Sequence, residues 1–527
     1  MEYHKKISHV SASPTRPVNK KENKDFDIAD LYAGPIGSLD ARESSETRLD
    51  EKMRKVYYWI VNHAIITPFY DIEYNEAPPR TFQLGDQKSI LTLPTGQSYS
   101  SFILMPLLNL VARKRCLLVG GPGRGKTASA VLMGLIAGYK LKEVKRAIQH
   151  GQPQMTISDL LGNPLPSDMM KARNMDEIQI AWRKWLGMKI KIIDEYNRIP
   201  TRTQSALLTV MGDNYAEIMD QIYECPEAAW YLTANDDEGG GTYQVIEALR
   251  DRIDIVVKAL HFNTRFLKEL LSRIENNVRP DQMVPGEIIF TEEEIDSIND
   301  EILKVEIPDA LMRRIEFFTS QFEFFEPGGE QIEYKTKDNV KLSGLDFNLI
   351  MSQESGKDPI KDMGTQSKNG ISVRTFLTLL TFSKALAYFR GEPQVGFEDI
   401  RNILPFVFHD KLIQNSDSPF FEKPENTIYR VDRVSWIRKL FDLSVAEFNK
   451  LGRDKKDEVG DFLKQFEEGL EGLKIEEVKK RLIAIERHIE DIAKSRKLYG
   501  PLFDDILSLK YLHQRYTNFL AWLEWKK

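Results

Sequence analysis

The residues Gly120-Gly-Pro-Gly-Arg-Gly-Lys-Thr127 place a lysine and a hydroxyl behind spaced glycines, in the pattern G-x-x-x-x-G-K-T. Glycines at these positions let successive backbone N–H groups curl around an anion without Cβ clashes. A helical run opening at Ala128 adds the partial positive charge of its N-terminus. This chemistry holds a polyphosphate: Lys126 reaches the β and γ phosphates, and the Thr127 hydroxyl ligates Mg²⁺. The fixed positions match by chance in about one chain in fifty of this length. The apolar strand Cys116-Leu-Leu-Val119 before the loop makes a chance match rarer still.

A second strand, Ile190-Lys-Ile-Ile-Asp-Glu195, ends in two carboxylates. Asp194 is placed to hold the Mg²⁺ shell and Glu195 to polarise an attacking water. Alone, such a strand end is a solvated turn as readily as a site; beside the glycine loop it becomes specific. Trp230-Tyr-Leu-Thr-Ala-Asn235 is a third buried run, closing on an amide. Asn235 either hydrogen-bonds the γ-phosphate or the lytic water, or is an ordinary turn residue. Arg250 and Arg252, in Glu247-Ala-Leu-Arg-Asp-Arg-Ile-Asp254, precede a last strand; in an ordinary helix they would be a solvated face. Arg374 closes Gly370-Ile-Ser-Val-Arg374 at the start of an apolar helix, against the helix-dipole preference; it is either functional, which that placement favours, or a tolerated surface arginine.

The elements that position these groups alternate. Cys116–Val119, Ile190–Ile193, Trp230–Leu232 and Ile253–Val257 are strand candidates separated by helical patterns, the signature of an α/β domain with a parallel sheet covered on both faces. Residues 262–413 read as mostly helical, interrupted by a polar stretch over 326–369. From about 434 the chain is strongly helical, and Leu482, Ile485, Ile489 and Ile492 form the seam of an antiparallel pair that turns at Tyr499-Gly-Pro501. Residues 1–50 are polar and read as a flexible tail. A helix begins near Met53, with Val56, Tyr57 and Ile60 on one face, and breaks at Glu76-Ala-Pro-Pro-Arg80.

The composition excludes several classes. With 73 Lys plus Arg against 79 Asp plus Glu, the net charge of −6 argues against a polybasic nucleic-acid coat, though not against a local basic groove. No apolar run is long enough for a membrane span, and the N-terminus has no signal-peptide core. Two cysteines in 527 residues fit a reducing cytoplasm rather than a disulfide framework.

Taken in order, the glycine loop, the Asp-Glu strand, the Asn strand end, the paired arginines and the helix-opening arginine resemble the AAA+ ATPases. The resemblance narrows to the MoxR family of the helix-2-insert clade. Asp194-Glu-Tyr-Asn-Arg-Ile-Pro-Thr-Arg-Thr-Gln-Ser-Ala-Leu-Leu208 is similar to that family's D-E-I-N-R-A-P-P-K-T-Q-S-A-L-L. Glu238-Gly-Gly-Gly-Thr-Tyr243 resembles its E-G-T-Y, and Ile307-Pro-Asp-Ala-Leu311 with Gly370–Arg374 resembles its lid pattern. The match spans roughly residues 96–413.

The resemblance implies an AAA+ P-loop sheet over 96–261, an all-α lid over 262–433 and, beyond it, a C-terminal helical hairpin over 434–527, with a helical extension at 51–95. It implies ATP bound by Gly121, Pro122, Gly123, Arg124, Gly125, Lys126, Thr127, Ala128, Asp194 and Arg374, with Mg²⁺ on Thr127 and Asp194. Glu195 is then the catalytic carboxylate, Asn235 sensor 1, Arg252 the arginine finger and Arg374 the sensor 2 that touches nucleotide. Arg250 stands where the family commonly has Gln or Leu, so the resemblance leaves open whether Arg252 or Arg250 is the main finger; Ile253 replaces the usual Phe. Ile157–Gly162 resembles the helix-2 insert, and Asn214–Cys225 is the place for the hairpin before sensor 1.

The implied assembly is a homo-oligomeric, hexameric ring that remodels a client, often beside a von Willebrand factor A domain protein. Two other readings stand beside it: a nucleic-acid motor or restriction NTPase subunit, and a nucleotide-switched scaffold that barely turns over. The intact Lys126, Asp194, Glu195 and Arg252 count against the last.

Overall fold

A computed structural model describes residues 48–85, 89–170, 177–235, 245–345, 363–454, 457–495 and 498–526. The tail expected over 1–50 lies outside these except at its end, where a helix opens at Leu49 and Asp50 is buried against Arg48 and Arg54. The Glu238–Tyr243 motif also lies outside the described residues.

Five parallel strands form the central sheet: β1 (Arg115–Val119), β2 (Gln149–His150), β3 (Ile190–Asp194), β4 (Ala229–Ala234) and β5 (Ile255–Lys258). Their spatial order is β5-β1-β4-β3-β2. β2 escapes a pattern reading because it is two polar residues long. Strands covered on both faces read as continuous apolar runs. Cys116, Leu118, Tyr231, Ile255 and Val257 enter the core on one face, while Leu117, Trp230, Leu232 and Val256 enter the core on the other. Lys191 is the exception inside β3. Its Nζ donates to Met188 O at 2.6 Å and lies 5.7 Å above the Trp230 ring, and burial pushes its pKa down to about 8.

Register fixes where the sheet does its work. Ala234 pairs with Val119, Leu232 with Ile193, and His150 with Asp194, so the strands' C-terminal ends finish level. The first face is covered by the helix Ser101–Ala112, buried at every residue, and by the helix Lys126–Ile136. Asn109 Nδ2 donates to Trp230 O at 3.0 Å and Tyr231 OH to Pro106 O at 2.8 Å, which pins the first of these helices to β4.

The extension expected to be helical over 51–95 is so only to Ala64. Beyond lie an antiparallel pair, Ile72–Glu73 with Ser98–Tyr99, and a hairpin, Arg80–Leu84 with Ser89–Leu93. Thr81, Phe82, Ile90 and Thr92 are good β-formers on the paired strands, and Gly85 leaves the first strand with the left-handed φ of +51°.

The lid helices Glu292–Lys304, Asp309–Thr319, Val373–Arg390 and Phe397–Phe408 share one core with the sheet's first face. The expected boundary at 434 falls inside that core. The helix Arg433–Lys450 buries Trp436, Ile437, Leu440 and Phe441 in it. A separate core, with Val459, Val478, Leu482, Ile485, Leu509, Leu512 and Tyr516, begins only with the helices Glu458–Glu467, Ile475–Ser495 and Gly500–Trp525. An amphipathic helix looks the same in sequence whichever core it joins, so composition could not place the division.

Removal of residues 457–527 should therefore leave one cooperative thermal unfolding transition, whereas removal from 434 should abolish it. Trp436→Ala alone should cost about 3–5 kcal/mol in urea unfolding, the usual range for emptying a buried aromatic site.

Candidate nucleotide site

The loop after β1 turns at the level end of the sheet. Gly125 sits at φ +79° as the residue that opens the helix Lys126–Ile136. Gly120 is needed for a different reason: a Cβ there would stand 2.7 Å from Ala259 O. Lys126 is buried, and its ammonium donates to Gly120 O at 2.5 Å, Gly121 O at 2.9 Å and Asn235 Oδ1 at 2.9 Å. Arg124 reaches across to Ala259 O at 2.9 Å. Among the described residues, leaving out chain neighbours, no atom lies within 4 Å of a Cβ built on Gly123 or Gly125, so nothing described there crowds that side of the loop.

The two carboxylates are held by the strands on either side. Asp194 Oδ1 accepts from Thr127 Oγ1 and from Thr233 Oγ1, each at 2.7 Å, and His150 Nδ1 stands 3.2 Å from Oδ2. Thr233 Oγ1 also accepts the Glu195 N–H at 2.9 Å, so its hydrogen is committed to Asp194. Glu195 takes a left-handed φ of +54°, which costs a non-glycine residue roughly 1–3 kcal/mol and turns its side chain back over the sheet end. There Asn235 Nδ2 donates to Glu195 Oε1 at 3.0 Å, and Arg198 Nε lies 3.3 Å from Oε2. Asn235 thus bridges Lys126 and Glu195. Gly151 makes room for the turn: a Cβ on it would fall 2.2 Å from Glu195 O.

These residues fit a nucleotide and its metal. A cationic amine and a glycine loop face the place for phosphates. One hydroxyl and one carboxylate stand together as the small oxygen donor set that suits Mg²⁺, which keeps several waters and phosphate ligands.

The arginines are elsewhere. Asp254 N donates to Arg115 O, and Arg115 N and NH1 donate to Asp254 Oδ2, so the segment before β5 lies at the strands' N-terminal ends. Arg252, in the helix Glu247–Arg252, reaches Leu208 O and lies 3.7 Å from Asp213 at the end of the helix Thr201–Gly212. Arg250 is exposed beside it. Arg374, expected to touch nucleotide, instead donates from NH1 to Asp251 Oδ2 at 2.7 Å. One turn on, Thr378 Oγ1 donates to Asp254 Oδ1 at 2.9 Å, so the lid helix meets the same end of the sheet. Five strand residues, about 16 Å, separate this end from the glycine loop. Arg374 therefore stands at the end of the sheet away from the glycine loop.

Sequence reasoning missed Thr233, His150 and Asp251. A hydroxyl in an otherwise apolar strand was the available signal for Thr233. None exists for the others, whose partners are set by strand register or by contacts more than a hundred residues away.

Thr233→Val keeps the shape but strips both hydrogen bonds, leaving the Glu195 N–H unpaired. It should cost about 1–3 kcal/mol in urea unfolding and lower turnover more than nucleotide affinity, while Thr233→Ser should preserve both. Unchanged stability and turnover in the valine variant would contradict this account of the acidic pair.

Comparison with known proteins agrees with this geometry. Residues 115–255 match the family described as ATPase family associated with various cellular activities (AAA), and residues 363–431 match the AAA lid domain. The chain is similar to Chaperone MoxR1 of Mycobacterium tuberculosis, 23% identical over 327 residues that cover 62% of this chain and 74% of the relative. A solved structure of a candidate ATPase from Cytophaga hutchinsonii is 21% identical and covers 64% of this chain and 89% of its own, with a TM-score of 0.43. The matched AAA and lid segments identify an AAA-type ATPase domain followed by its lid, and the MoxR1 relative and the Asp194–Leu208 signature make this chain similar to the MoxR family.

Proposed function

We propose that the chain is a Mg²⁺-dependent ATPase that works as a ring, hexameric by family resemblance, and uses turnover to remodel or activate a partner protein. The observation that carries this reading is the split site. The phosphate loop, acidic pair and Asn235 gather at one end of the sheet, while Arg252 and Arg374 gather at the other. Arginines so placed serve a nucleotide only when another subunit brings its phosphate end to them.

In this reading Lys126 holds the β and γ phosphates, and Asp194 with Thr127 holds the metal. Mg²⁺ when bound neutralises charge on the phosphate oxygens. Glu195 accepts hydrogen from the attacking water, and Asn235 fixes the orientation of that carboxylate through its amide. Arg252 supplies positive charge to the neighbour's transition state, with Arg250 sharing the role and Arg374 joining it from the lid. The relative's description as a chaperone supports a protein client. A von Willebrand factor A domain protein is the partner the family resemblance favours. Cytoplasmic location is proposed from two buried, unpaired cysteines, and no helix among the described residues is long and apolar enough to cross a membrane.

Lys126→Ala should abolish tight ATP binding, and Glu195→Gln should bind ATP and stall. Arg252→Ala should bind ATP yet lose about 10³- to 10⁵-fold in turnover. Mixing Lys126→Ala with Arg252→Ala subunits should restore part of the activity, because one brings the arginine and the other the site. Mixed rings that form and stay inactive would overturn the shared site.

A further inference from the structure

Two lid residues converge on the single residue between Arg250 and Arg252. Arg374 takes the Asp251 carboxylate, and Lys411 takes the backbone. The Lys411 ammonium donates to Arg250 O at 3.0 Å and to Asp251 O, and lies 3.7 Å from Asp251 Oδ1. Arg250 O accepts the Ile253 N–H at 3.2 Å where the helix closes, and the lysine adds an external donor to it and to Asp251 O, as basic side chains commonly do in a last helical turn. Here the donor comes from a different domain, 160 residues along the chain. Its side chain is only 10% exposed, so most of its length is packed between the lid and this helix.

The Lys411 segment is itself tied to the segment that leads into Arg374. Asn369 Nδ2 donates to Lys411 O at 2.6 Å, and Ile413 N donates to Asn369 Oδ1 at 2.8 Å. Both prongs therefore belong to one lid unit. A surface lysine needs none of this, and a simple stabilising cap would serve as well on any helix of the lid. This one grips the six-residue helix that carries both arginines.

We propose that Lys411 is a positioning residue: by capping Arg250 and Asp251 from the lid, it fixes the arginine segment that completes the neighbouring subunit's site. The posture of one subunit's lid thereby sets turnover in the next. This rests on the in-trans reading above and adds to it the residue that transmits lid movement to the arginines.

The test uses the full-length ring. Lys411→Met should lower kcat about 10- to 100-fold, the scale of misplacing a catalytic group by an ångström or so, with ATP affinity unchanged. Lys411→Arg, which keeps the charge and the donors, should recover most of kcat. Mixing decides between positioning and general damage. Lys411→Met subunits should regain activity with Lys126→Ala subunits, which bring an intact arginine segment to an intact site. They should gain nothing from Arg252→Ala subunits. Unchanged kcat, or rescue by Arg252→Ala instead of Lys126→Ala, would overturn the proposal, since the latter places the damage in Lys411→Met's own pocket. If Lys411→Met does not fold, Lys411→Gln carries the same measurements and outcomes. Failure of the Lys126→Ala and Arg252→Ala mixture would bring down the in-trans reading, and Lys411's role with it; success there with an indifferent Lys411 would bring down this proposal alone.

Discussion

One carboxylate oxygen, Oδ1 of Asp194, accepts hydrogen from Thr127 at the start of a helix and from Thr233 on the adjoining strand, each at 2.7 Å. Three neighbouring strands, β1, β4 and β3, must end level for that to happen. Parallel pairing of Ala234 with Val119 and of Leu232 with Ile193 makes them do so. A slip of one residue in either pairing would turn Thr233 to the other face of the sheet and separate both carboxylates from their donors. The buried apolar runs that specify register and the polar residues that follow them are thus one design. The sheet is the ruler, and the chemistry stands at its end.

The same ruler explains the division of labour. The C-terminus of the helix Glu247–Arg252 and the start of the lid helix Val373–Arg390 meet at the opposite end, about 16 Å away, and Arg252 and Arg374 collect there. Asp251 and Asp254 give the lid a fixed purchase on that end through Arg374 and Thr378. A half-exposed pair such as Arg374–Asp251 adds little stability in water. Its value lies in place: it keeps an arginine at the surface without letting it wander.

What could be read from the sequence follows the same physics. The glycine loop and the four longer strands were legible because each is a local pattern, either a fixed spacing or an apolar run. The two-residue β2 had no pattern to show, yet it carries His150 to Asp194. Arg374 was recognised as unusual at a helix start, but its partner was not, because Asp251 is 123 residues away and only the folded lid brings them together. The hairpin Arg80–Leu84 with Ser89–Leu93 was passed over for helix although its alternation was visible. The division after the lid was misplaced because Trp436 and Leu482 both lie on amphipathic helices, and only packing says which core each joins.

The central claim, that each site is finished by a neighbour, is tested most directly by dilution. Turnover per subunit and ATP bound per subunit should be followed together as the protein is diluted through its assembly range, with the mass of the particles measured at each point. The account predicts that turnover per subunit collapses as rings dissociate while nucleotide binding by single subunits persists. Constant turnover per subunit in a solution shown to contain only monomers would contradict it.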